Sequence, residues 1–387
     1  MLAVVTVDTE VNREPPEPVP VRRLRLPPGL ALPLAVFATS RLLTLVATWL
    51  AMLRTPGLTA MTAFLKWDGA WYIQSATTGY PRQVPPGLGG EVQTTLGFFP
   101  LLPLLVRAVS GLTGLPPWLS GLVVTTASGA AAVVMVWYFA RHLAGEEVAD
   151  RAAALFAFFP GAVVFGLVYA EPLLIALAAG CLLALLHRRW VPAGVLAALA
   201  SAVRPTGIVL AACCAFEAGR TVATRRGWRP LAAPALAPLG MVAFFAFLHH
   251  HAGDARAYVD SQQRGWHQRF DLGDPLHQLA SVLAHPWGDK NMVVAVAGMA
   301  FIAGCGLLLV RLRPPPVVLL YTAGVVAMAV FSVTTGAHPR FVLVAFPLFV
   351  ALGARLRGAA FAAVVATSAL LLEVLTVVTV ATDYVTP

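Results

Sequence analysis

Charge is what this sequence has least of. Of 387 residues only 12% are charged while 58% are hydrophobic, about half the charged share of an ordinary soluble domain. So small a polar fraction cannot cover a soluble core, and the mean hydropathy of +0.77 points the same way. Lysine is nearly absent, with 25 of the 27 basic residues being Arg. They punctuate the apolar runs instead of gathering on one polar stretch with interleaved aromatics, which argues against nucleic acid as a partner despite the net charge of +9. The four cysteines (Cys181, Cys213, Cys214, Cys305) lie inside apolar runs without C-x-x-C spacing, so neither a disulfide framework nor a zinc site is indicated. A P-loop and a strand-embedded G-x-G-x-x-G are also missing, which leaves no nucleotide-binding machinery. No cleavable leader is expected, because a polar, Pro-rich arm with Arg22, Arg23 and Arg25 precedes the first apolar run.

What is present is apolar sequence in membrane-length pieces. Runs fall at about 30–52, 118–140, 152–186, 191–218, 230–251, 291–310, 316–333, 341–354 and 358–380. Two exceed one crossing. The run 152–186 is basic at both edges and broken at Phe159-Pro160-Gly161, and 191–218 is interrupted by Arg204-Pro205-Thr206-Gly207. Each reads as a hairpin of two spans, or in the second case as a re-entrant pair. The expected fold is therefore an all-α polytopic bundle of about eleven spans. With the N-terminus inside, basic residues are nearly threefold denser in inner segments, about 16 in 63 positions, than in outer ones, about 10 in 111. Residues 1–29 then form a cytoplasmic arm and 30–387 a single membrane domain. Its two long polar segments, 53–117 and 252–290, lie on the non-cytoplasmic side of a cell membrane. Within the first, Phe98–Val109 is too short to span and carries Pro100, Pro103 and Arg107, so an interfacial helix is expected.

The most informative stretch follows the first run: Lys66-Trp67-Asp68-Gly69-Ala70-Trp71-Tyr72, then Gly79-Tyr80-Pro81, then Phe98-Phe99-Pro100-Leu101-Leu102-Pro103. A carboxylate beside indole rings at a membrane surface is costly to place idly, which makes Asp68 a candidate general base for an acceptor hydroxyl. The competing account is an aromatic belt with a solvated aspartate.

Together with Phe159-Pro160, Tyr169-Ala170-Glu171-Pro172 and Arg204-Pro205-Thr206-Gly207, these motifs resemble the GPI mannosyltransferase 2 (PIG-V-type) family and its bacterial members, within the GT-C class of polytopic glycosyltransferases. The resemblance covers about 65–210 and elsewhere rests on hydropathy alone. It implies a GT-C-like helix bundle that moves mannose from a polyprenyl-phosphate donor to a hydroxyl acceptor, a glycolipid or glycoprotein of the cell envelope, with inversion. Asp68 is the implied base, and Trp67, Trp71 and Tyr72 wall the sugar. The GT-C class often carries two carboxylates in this loop; only one stands here, so a divalent metal is possible but not indicated.

A departing phosphate needs positive charge rather than a protonated acid. Arg204 is the candidate for holding it, against the alternative of an arginine snorkelling at a span end. Glu171, beside Tyr169, either orients acceptor hydroxyls or neutralises Arg204. His338 and Arg340 flank Pro339 in a short loop and could bind phosphate, close the pocket or simply cap two spans. His249, His250 and His251 are successive on a helix and point about 100° apart, so they do not share a metal. The mixed-sign segment 252–290 reads as a solvated connector or as a glycan-facing surface. The rival function is a transporter or lipid flippase using an intramembrane Arg and Glu; a membrane scaffold is a third.

Overall fold

The computed structural model describes residues 29–83, 93–225, 227–285, 288, 290–333 and 336–384. Of the Pro- and Arg-rich arm, residues 1–28 lie outside them. Eighteen α-helices and no β-strand occur among the described residues. In chain order they are α1 (Ala31–Arg54), α2 (Ala60–Phe64), α3 (Asp68–Thr77), α4 (Leu101–Thr113), α5 (Pro117–Ala144), α6 (Glu146–Ala157), α7 (Glu171–Leu186), α8 (Trp190–Ser201), α9 (Ile208–Arg225), α10 (Ala232–Leu236), α11 (Leu239–Ala252), α12 (Ala257–Trp266), α13 (Asp274–Ala284), α14 (Lys290–Leu312), α15 (Pro316–Val330), α16 (Pro339–Val344), α17 (Pro347–Arg355) and α18 (Gly358–Ala381).

The all-α polytopic reading holds, with one refinement. Among the described residues six helical stretches are long and apolar enough to cross a membrane unaided, those built on α1, α5, α9, the α10–α11 run, α14 and α18. Others are half-length. The run 152–186 folds as α6, a 3-10 turn Pro160–Gly166 bent 74° from it, and then α7. Proline at the start of that turn cannot donate the backbone hydrogen bond a continuing helix needs. The run 191–218 breaks between α8 and α9, where Arg204 is extended and Pro205–Gly207 forms a second 3-10 turn. Of sixteen and twelve residues, α7 and α8 reach only roughly 24 and 18 Å.

Small residues let the bundle close. Gly129 and Ala132 of α5 and Ala178, Ala179 and Gly180 of α7 are buried, as expected where lipid offers no hydrophobic drive and helices associate through close backbone approach. Leu42, Leu45, Trp49 and Leu53 of α1 face outward instead, the pattern of a lipid-facing helix. The piece expected as a non-spanning helix is α4. Its Leu102, Pro103 and Val106 are buried while Leu104 and Leu112 are exposed, and the N–H of Leu101 donates to the Ala202 carbonyl in the α8–α9 break at 3.0 Å. The first long loop is thereby tied to a chain break more than a hundred residues later.

Candidate active site

Asp68 owes its position to a turn. Residues 66–69 form a tight reversal in which the Gly69 N–H donates to the Lys66 carbonyl at 3.3 Å. Trp67 takes φ 58° and ψ −120°, a conformation that turns of the II′ kind usually give to glycine. Holding a bulky residue there costs on the order of 1–3 kcal/mol. Its indole Nε1 is also buried with no partner among the described residues. Strain and an unsatisfied donor beside one carboxylate mark a place shaped for something other than stability. The turn is held from behind by segment 168–169: the Asp68 N–H donates to the Tyr169 hydroxyl at 3.3 Å, and the Val168 N–H to the Phe64 carbonyl at 3.2 Å.

Four charged side chains from four chain breaks meet at this turn. Glu171 opens α7 and is fully buried; Arg204 leads into the Pro205–Gly207 turn; Arg340 follows Pro339 at the start of α16. Arg340 Nη1 donates to Asp68 Oδ2 at 2.6 Å, Arg204 Nη1 donates to Glu171 Oε1 at 2.6 Å, and Arg340 lies 3.9 Å from the same Glu171 oxygen. The charges alternate and sum to zero. Burial by itself would lower the Arg340 pKa, but Asp68, Tyr169 and Glu171 outweigh it and hold the guanidinium well above its ordinary value, so it stays charged. The two guanidinium planes also pack on rings, Arg340 over Tyr169 and Phe341 and Arg204 over Phe341. Glu171 Oε2, Arg340 Nε and Thr206 Oγ1 are buried without partners among the described residues.

In front of this constellation opens a cavity of about 540 Å³. Asp68, Tyr72, Arg204 and Arg340 line it. Glu171 and Tyr169 lie behind its wall; burial pushes the Tyr169 hydroxyl pKa up, so that group remains a neutral hydrogen-bonding partner. The expectation that Trp67 and Trp71 wall the cavity needs revision. Trp67 packs into the core, and Trp71 stacks behind Phe98, with centroids 6.1 Å apart. Phe98 and Trp266 supply the aromatic wall instead, edge to face at 5.4 Å. His338 lines a separate cleft, described below.

Trp266 comes from the segment read as a connector or a glycan-facing surface, and in the structure it lines the cavity. The α12 helix packs on the first loop: Gln262 Nε2 donates to the Gly97 carbonyl at 2.8 Å, and Thr94 Oγ1 meets Ser261 Oγ at 3.2 Å. A Cβ at Gly97 would sit 2.8 Å from the Trp266 ring, so only glycine admits this approach. Tyr258, Gln262, Arg269 and Phe270 complete that side. Arg269 was legible only as one sign among several. Its backbone is fixed by an antiparallel bridge, the Val333 N–H donating to the Arg269 carbonyl at 3.1 Å and the Asp271 N–H to the Phe331 carbonyl at 3.0 Å.

The acids suit guanidinium partners better than a metal. Among the described residues no group of three or more His, Cys, Asp or Glu is disposed to hold an ion, and the bound oxygens of Asp68 and Glu171 are taken by arginines. His251 Nε2 lies 2.8 Å from the Tyr80 carbonyl at the end of α11.

Two solved structures share this architecture. ArnT from Cupriavidus metallidurans, solved with undecaprenyl phosphate bound, matches with a TM-score of 0.50 and 14% identity over 84% of this chain and 61% of its own. The oligosaccharyltransferase of Archaeoglobus fulgidus, solved with a tethered acceptor peptide, matches with a TM-score of 0.53 and 15% identity over 92% of this chain and 56% of its own. The fold is that of the GT-C polytopic membrane glycosyltransferases, and this chain spans less than two thirds of either relative. Residues 98–335, well over half the chain, match glycosyltransferase family 87. The chain belongs to that family, and its long apolar helices are those of a multi-pass membrane protein. The family shown is glycosyltransferase family 87; the match does not reach the finer likeness to the GPI mannosyltransferase 2 family, and the matched span begins thirty residues after Asp68. No curated protein matches the sequence.

Proposed function

We propose that this protein moves a sugar, mannose by its motif resemblance, from a polyprenyl-phosphate carrier to an acceptor hydroxyl at the non-cytoplasmic face of the cell membrane, with inversion. The observation that carries this reading is the placement of Asp68, Arg204 and Arg340 on one cavity whose lining also includes the apolar Val325, Met328, Ala329 and Val344. Such a cavity suits a ligand that is lipid at one end and anionic at the other. ArnT, with its bound undecaprenyl phosphate, supports a carrier of that kind.

In this scheme Asp68 Oδ2 keeps the Arg340 hydrogen bond and Oδ1 faces the acceptor. The acceptor oxygen attacks the anomeric carbon from the side opposite the phosphate and gives its proton to Asp68. The carbon–oxygen bond to phosphate breaks, and the carrier phosphate leaves with one further negative charge. Arg340 and Arg204, already desolvated and fixed, answer that charge without reorganising. The arrangement needs no transport step, and membership of a glycosyltransferase family weighs against a flippase.

The test uses purified protein in detergent with labelled polyprenyl-phosphate mannose and a glycolipid acceptor fraction from the cell envelope. Wild type should yield labelled product without a sealed compartment. Asp68→Asn should lose roughly 10²- to 10⁴-fold in rate with its folding intact. Full transfer by Asp68→Asn would remove that residue from the mechanism.

A further inference from the structure

A second cavity of about 440 Å³ adjoins the first and differs from it in chemistry. Arg269 lines both, and His338, on the second, is two residues from Arg340. Its floor includes buried Gln278 and His338, and its rim carries Asp271, Asp274 and His277. Carboxylates, an amide and imidazoles supply donors and acceptors in close alternation, the mixture that adjacent hydroxyls require and that a lipid tail does not. Part of the set is held in place beforehand: Gln278 Nε2 donates to Asp274 Oδ2, and the Gly273 N–H donates to Asp271 Oδ1.

The helix that supplies this wall is itself informative. In α13, Asp274, Gln278 and Ser281 share one face, while Leu276, Leu279 and Leu283, with Leu272 just before the helix, form a stripe on the opposite face. All four leucines are exposed. A short helix with one polar face and one bare leucine face, in a membrane protein, lies in the interfacial plane with the leucines toward the acyl chains. That seating puts the mouth of the polar cavity at head-group level.

We propose that the second cavity is the acceptor subsite and that it takes a hydroxyl-rich carbohydrate group, delivered across the Arg269 boundary to Asp68. The inference rests on the transfer reaction proposed above, and its test does not use turnover. The chemistry could reach the cavity on a glycolipid or on a soluble glycan.

The probes are methyl and octyl α-mannopyranoside, observed by saturation-transfer NMR on the full chain in nanodiscs. Wild type and Asp68→Asn should both saturate the ring protons. His277→Ala, a change at the exposed rim that leaves packing alone, should weaken the signal at least threefold, and the Asp274→Ala/Gln278→Ala pair at least tenfold. Saturation of both glycosides supports the subsite with a soluble source, and saturation of the octyl glycoside alone supports it with a lipid-borne one. Equal signals in His277→Ala and wild type, or no ring-proton signal from either probe in wild type, would overturn the proposal. If Asp68→Asn binds glycoside normally yet transfers at the full rate, the catalytic reading fails and the subsite stands.

Discussion

Two buried arginines set the two halves of this molecule against each other. Arg41 lies within α1, clamped between the Phe37 and Phe165 rings, with Nη1 donating to the Ala162 carbonyl at 2.9 Å and Nη2 to Ser40 Oγ at 2.7 Å. Arg340 is buried to the same extent, but it bonds to a carboxylate and borders empty space. Burial of charge is therefore a poor guide to function taken alone. What separates the two is the partner and the cavity: the first arginine fastens a backbone carbonyl, and the second holds the Asp68 carboxylate at the cavity wall. The halves are also joined. Ala162 belongs to the Pro160–Gly166 turn, whose Gly161 lies directly against the backbone of Pro339 and Arg340.

The comparison breaks most visibly at Arg340. Arg340→Met leaves Asp68 without its orienting donor and one cation short for the leaving phosphate, and transfer should fall by roughly 10²- to 10³-fold in the detergent assay. If it falls less than tenfold, Arg340 belongs with Arg41 as a structural residue. Next comes Arg204→Met, which takes the 2.6 Å partner from a fully buried Glu171 carboxylate and leaves it only Arg340 at 3.9 Å. Removing one partner of a buried pair costs about 3–5 kcal/mol, to be read as a lowered unfolding midpoint by cysteine-accessibility or light-scattering melts. Adding Glu171→Leu to that variant should recover most of the stability but not the activity. Gly161→Ala sharpens the link between halves. A methyl there overlaps the Pro339 carbonyl, so about 1–3 kcal/mol of overpacking strain should appear together with a roughly tenfold loss of rate, Arg340 being shifted from Asp68. The smallest effect belongs to Arg41→Met, which should cost about 1–3 kcal/mol of stability by orphaning the Ala162 carbonyl and change the rate only a few-fold. A rate loss as large as that of Arg340→Met would erase the distinction.

Much of the architecture could be read before any coordinates, because breaks such as Phe159-Pro160 and Arg204-Pro205 interrupt otherwise continuous apolar runs and lipid tolerates no unsatisfied backbone there. Hydropathy counts such runs but not their depth, which is why eleven expected spans include helices as short as α8. At the site, Asp68, Glu171, Arg204 and Arg340 drew notice for the same reason, since charge at the edge of an apolar run is expensive. That Asp68 meets Arg340 was not legible: the partners are 272 positions apart, and no local spacing encodes the contact. Trp67 looked like a sugar platform, whereas its left-handed backbone turns it into the core. Trp266 and Arg269 sat in a segment of alternating signs whose composition suits an idle loop equally well. The one available signal was an indole in a polar stretch, close to Gln262, which reaches back to Gly97.

The brevity of α8 reaches beyond the protein. Helix α7, roughly 24 Å long, is enclosed by the bundle, but α8, roughly 18 Å long, exposes Val191, Val195 and Leu199, so against a hydrocarbon layer of about 30 Å either the leaflet dips or water climbs to meet its ends on this flank. Under the proposed function, transfer then takes place at the bottom of a dimple in the membrane, and lipid tail length becomes one of the variables that set how deep a donor must sit to be used.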